Sequence, residues 1–167
     1  FDLGDFVDSE MEIMDVRQDL ADNYDSAGWK LVYVLFEPDD GNEYIDADVD
    51  LLTELRGFHG DLESNHNVVG TDGTFHSTSY EGPYVILRDA ILRDSSFCDS
   101  HNLEVFQDGG VYVKDYNQDC NLSAAFMSLS QNNTIADALS GESWSDRVKH
   151  SVYLVDGKVV NLRNEIR

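Results

Sequence analysis

The chain has 167 residues, and 33 Asp and Glu against 11 Lys and Arg give it a formal net charge of −22. So anionic a chain does not bind a nucleic-acid backbone or an anionic bilayer by general electrostatics, because phosphate contacts need clustered Lys and Arg. No apolar run approaches the roughly 18 residues needed to span a membrane.

High charge with low hydrophobicity marks disorder, yet Leu, Ile, Val and Phe supply 46 of the 167 residues, above the roughly one-fifth level below which a core is not expected. The length fits one domain over residues 1–167. Asp outnumbers Glu by 23 to 10 and Arg outnumbers Lys by seven to four. That balance fits a protein adapted to high salt, where mutual repulsion of surface carboxylates is screened. An acidic extracellular protein bathed in calcium is the competing environment.

The first predicted element is a helix. Ser9-Glu10-Met11-Glu12 has capping-box spacing, Ile13, Val16, Leu20 and Tyr24 recur at helical intervals, and Gly28 stops it. Before it, residues 1–7 alternate apolar with other residues and read as an extended arm or edge strand. Trp29 to Phe36 is a β-branched and aromatic run that reads as a central strand buried on both faces. Pro38 to Asn42 is a turn by composition. Asp46 to Phe58 predicts a second helix with Leu51, Leu52, Leu55 and Phe58 on one face.

Strands are then expected at 67–70, 74–80, 84–89, 103–106, 111–116, 152–155 and 158–162. Turn signals separate several of them: Asp72-Gly73, Asp108-Gly109-Gly110 and Asp156-Gly157. Asp156-Gly157 between two apolar runs is a two-residue hairpin signal. Short helices are expected at 124–129 and 135–139. The combination predicts an α+β, β-rich fold: an antiparallel sheet, in sandwich or jelly-roll form as a variant, with an N-terminal amphipathic helix and short extra helices.

Few constellations carry chemistry. Asp115, Asn117 and Asp119 alternate as oxygen ligands do in the first half of a calcium loop, but Cys120 and Phe126 stand where the EF-type pattern needs Gly and Glu. The alternative is an ordinary hydrated turn. Asp46, Asp48 and Asp50 alternate similarly and read as helix-capping acids. His59, Asp61 and His66 are a candidate transition-metal set, without H-E-x-x-H spacing and in a segment that reads as a solvated polar loop. Cys98 and Cys120 flank a predicted hairpin, so they are candidates for a disulfide or for two buried thiols. Asn121 and Asn132 open glycosylation sequons. No nucleophile elbow, P-loop or dinucleotide fingerprint occurs, so nothing in the sequence nominates an enzyme.

Phe1 begins the chain, and no basic segment followed by an apolar stretch marks a leader. The expectation is a protein outside the cell or on a particle surface, its leader removed. Three roles follow. The first is a non-catalytic structural or interaction protein, a virion, filament or cell-surface subunit that self-associates or joins other protein subunits. The second is an acidic DNA mimic that inhibits a nucleic-acid-binding protein, and the third a metal-dependent hydrolase built on His59, Asp61 and His66. No cofactor is nominated beyond calcium.

Overall fold

The computed structural model describes residues 32–64, 80–138 and 140–166. Expectations for the arm at 1–7, the helix after Ser9, Trp29 to Leu31, the strands at 67–70 and 74–79, the Asp72-Gly73 turn and His66 lie outside these residues. The described chain is α+β with antiparallel sheets. Its order is β1 (Val32–Phe36), α1 (Val49–Ser64), β2 (Tyr80–Glu81), α2 (Pro83–Arg93), α3 (Ser95–His101), β3 (Leu103–Val105), β4 (Val111–Val113), α4 (Leu122–Ser130), α5 (Trp144–Ser151), β5 (Val152–Val155) and β6 (Lys158–Ile166). No described helix is long and apolar enough to cross a membrane.

Strand β6 organises the main sheet. β1 runs antiparallel along one side of it, from Val32 opposite Ile166 to Phe36 opposite Leu162. β2 pairs with the same end, Tyr80 opposite Ile166, and so takes the other side. β5 meets Leu162 through Val152; with β1 already at Leu162, β5 lies on the β2 side. The β5–β6 hairpin turns through Asp156 and Gly157, both at positive φ (50° and 76°), as a two-residue primed turn requires. Asp108 to Gly110 closes the β3–β4 hairpin, with Gly109 at φ 79°.

Helix α1 begins where Asp48 caps it, its Oδ1 accepting from the Asp50 and Leu51 amides. Leu51, Leu52, Leu55 and Leu62 are buried along one face. The main core gathers the first three with Ile86, Leu87, Leu103, Val111, Phe126, Val148 and Leu162, while Leu62 packs in a smaller cluster with Tyr80 and Val85. Each fully buried aliphatic or aromatic side chain contributes about 1.5–3 kcal/mol relative to exposure. Two side chains tie the small hairpin to this core: Tyr84 Oη accepts from the Val111 amide at 2.9 Å and Arg56 Nη1 donates to the Val111 carbonyl at 3.0 Å.

Residues 84–89 form part of helix α2, not a strand. Pro83 occupies the first turn, where its missing N–H costs nothing. Tyr84, Leu87 and Ile91 then recur at helical spacing, and all five residues from Pro83 to Leu87 are buried. An all-round apolar helix and a buried strand look alike over six residues. The expected helix at 135–139 is likewise not formed by its described residues 135–138: Ile135 forms an isolated bridge with Ser143. Helices α3 and α5 fall where none was expected.

Candidate functional site

The sequence-nominated sites do not converge. Asp115 spends its carboxylate within its own turn: Oδ1 accepts from the backbone and side-chain nitrogens of Asn117, both at 2.9 Å, and Oδ2 from Gln118 Nε2 at 2.9 Å. These bonds, that from the Asn117 amide foremost, hold its pKa below the ordinary value. Asn102, in the left-handed region at φ 54°, fastens the same turn by bonding the Asp115 backbone in both directions. A calcium ion there would have to displace these donors.

His59 is not in a solvated loop. It lies on the buried face of α1, packed against the Tyr84 ring at 4.9 Å and the Tyr80 ring at 5.6 Å. Burial lowers its pKa, so it is neutral at neutral pH. Asp61, two residues on, is exposed on another face of the helix. Among the described residues, no group of three or more His, Cys, Asp or Glu is placed to hold a metal ion.

Cys98 and Cys120 are free thiols, both half-buried, and not a bridge. Cys98 Sγ donates to the Ile91 carbonyl at 3.5 Å, a use for the sulfur that loop spacing alone does not reveal. Burial raises both thiol pKa values, which keeps them protonated and poorly nucleophilic. Asn121 caps α4 by accepting from the Ala124 amide at 3.0 Å. Asn132 accepts from the Thr134 amide and hydroxyl at 3.0 and 2.8 Å. Both sequon asparagines thus have structural roles at turns.

A polar cluster that the sequence did not announce joins three elements. Arg147 of α5 is 5% exposed. It grips both oxygens of Glu81 on β2, at 2.9 and 3.2 Å, and reaches Asp89 of α2 at 3.0 Å. Burial raises the Glu81 pKa against the pull of Arg147. Arg147 is itself disfavoured by burial, but the two carboxylates overcome this and hold it protonated. Burial therefore favours protonation of Glu81, which Arg147 opposes. Its partners are committed to one another, so it reads as an anchor and not as reactive machinery.

Two features remain open to solvent. The first is β1. Among the described residues it pairs only with β6, and it is not the doubly buried strand expected. Val32, Tyr33 and Leu35 are 47%, 50% and 52% exposed. Tyr33 and Leu35 share a sheet face with Glu165 and Arg163, their partners in register.

The second feature follows β1 directly. A groove of about 260 Å³ is lined by Glu37, Asp39, Asp46, Asp48, Asp50 and Glu54 together with Phe36, Ile45 and Leu51, and no described Lys or Arg lines it. The acids expected to cap the second helix therefore also line a concavity. Compared with known proteins, the chain matches no family model, no curated protein and no solved structure. Function is therefore read from these surfaces.

Proposed function

We propose that this protein is a non-catalytic structural or interaction protein that associates through the exposed strand β1, as a subunit working outside the cell or on a particle surface in saline surroundings. The exposed strand β1, whose second side has no partner among the described residues, carries the reading. An edge strand presents unpaired N–H and C=O groups, and folded proteins ordinarily blunt it with Lys, Pro or a bulge. None of these occurs within Val32–Phe36.

Two copies meeting antiparallel about Val34 place Tyr33 of one opposite Leu35 of the other. Such aromatic–aliphatic cross-strand pairs stabilise by roughly 0.2–1 kcal/mol each. One five-residue strand pair covers less than the roughly 1,200 Å² of a standard interface, so each contact is weak and association depends on concentration. Two chains of charge −22 also repel, and salt removes that repulsion as the screening length falls from about 10 Å at 0.1 M to about 3 Å at 1 M. Self-association by this route strengthens with salt.

The acidic groove favours a second reading: capture of a basic protein surface, as a DNA mimic would achieve. Attraction between opposite charges weakens with salt, so the sign of the salt dependence separates the two. Sedimentation velocity over a concentration series from low to multimolar KCl is the test. Growth of the sedimentation coefficient with both concentration and salt, abolished by Leu35→Lys, supports β1 association. A wild-type monomer throughout contradicts it.

A further inference from the structure

A second concavity, about 380 Å³, lies where the end of α2, helix α3, the end of α4 and the loop before α5 meet. Its chemistry differs from that of the acidic groove. Asp94 is the one acid among its described lining residues, and its Oδ1 is engaged by the Ser96 amide and hydroxyl at 2.8 and 2.6 Å. Arg93 is the one Lys or Arg there.

Arg93 is unusual in its pairing. Acids outnumber Lys and Arg three to one in this chain, yet among the described residues no carboxylate lies within ion-pair distance of its guanidinium. Its position is nevertheless fixed. Nη1 donates to the Ala136 carbonyl, and the guanidinium sits 5.6 Å from the centre of the Trp144 ring. An Arg guanidinium carries five N–H donors, so this single bond leaves a donor edge for a planar anion.

Apolar and hydroxylic side chains, with the Asn132 amide and the His101 imidazole, make up the rest of the described lining. Phe97 and His101 pack ring to ring at 4.5 Å, Leu129 lies alongside, and Ile135 stands 66% exposed at the cleft's lip. The volume falls at the small end of ligand pockets, which run from roughly 300 to 1,000 Å³.

We propose that this cleft binds a small aromatic carboxylate, its carboxylate on the free donor edge of Arg93 and its ring against Phe97, Leu129 and Ile135. Arg93 is open to solvent, so the ion pair is weak and the affinity of a minimal ligand is on the order of millimolar. The chain's overall negative charge opposes any anion, so binding requires enough salt to screen it.

The test is a ¹H–¹⁵N titration of the full chain with benzoate up to about 20 mM in about 1 M KCl, with benzamide as the uncharged isostere. Two variants accompany it: Arg93→Gln, and Ser128→Trp, which fills the cleft from an exposed position and so leaves the core untouched. The expected result is saturable shifts at the Ser100, Ser128 and Thr134 amides. Affinity then falls at least about tenfold for benzamide and for Arg93→Gln, and cleft shifts vanish in Ser128→Trp. If Arg93→Gln does not fold, the Ser128→Trp and benzamide comparisons decide. The proposal is overturned if wild type shows no saturable cleft shifts, if benzamide binds as well as benzoate, or if a folded variant binds like wild type.

Discussion

Replacing Arg147 with Met tests the packing account most severely. The side chain of Arg147 is 6% exposed, while those of Glu81 and Asp89 are 29% and 28% exposed. Met retains most of the apolar stem but removes three hydrogen bonds and the only cation in contact with both carboxylates among the described residues. Breaking a buried pair from one side costs about 3–5 kcal/mol because the remaining charge is stranded. The carboxylates retain some water, which puts the expected loss near the lower bound, about 3 kcal/mol. Equilibrium urea denaturation at constant high salt measures it.

The pH dependence of that loss has a definite sign. Burial already raises Glu81 above its ordinary 4.5, and removing Arg147 raises it further. The stability linked to a raised acid is fully present below 4.5 and is lost as pH rises through the folded value. The penalty of Arg147→Met is therefore largest at neutral pH and shrinks as pH falls toward the ordinary 4.5. A double variant with Glu81→Gln recovers part of the loss. A change below about 1 kcal/mol at neutral pH, with an unaltered urea slope, would refute the anchoring role.

Other consequences are equally open to measurement. Gly82→Ala puts a Cβ against Asn164 Oδ1 and 2.6 Å from Tyr80 Oη, inside the buried Tyr80–Asn164 bond of 2.6 Å; a loss of about 1–3 kcal/mol is expected in thermal or urea melts. Ser143→Ala removes the cap of α5, whose Oγ accepts from the Asp146 amide while Asp146 answers to the Ser143 amide; about 1 kcal/mol should disappear. Melting temperature should climb steadily with KCl into the molar range, as repulsion among the 33 acids is screened. Saturation at millimolar calcium would instead reveal a specific ion site.

Local chemistry made some elements legible. Asp156-Gly157 named its own hairpin because few residues tolerate two consecutive positive φ values. The Leu51, Leu52, Leu55 face marked α1, and Ala124 to Leu129 lies within α4. Elements decided by tertiary context were misread or missed. Val85, Ile86 and Leu87 have strand propensity, and only the longer window from Pro83 to Ile91 discloses the helical period. Helix α5 had a visible signal, Ser143 three residues before Asp146, but Trp144 and Val148 alone make a faint apolar stripe. The burial of Arg147 beneath it was illegible, since its partners lie 66 and 58 residues away. The exposure of β1 was hidden for the same reason: its pairing with residues 162–166 is a long-range fact.

Amide hydrogen exchange in β1 as a function of protein concentration, at molar KCl, shows whether copies of the chain associate through this strand. Successive amides of an edge strand point alternately to its partner and to solvent. Association through β1 predicts that the solvent-facing alternate amides within Val32–Phe36 gain protection as concentration rises. Leu35→Lys should show no such gain. Exchange in β1 that stays independent of concentration while larger species form, or while the chain remains monomeric, would contradict the account.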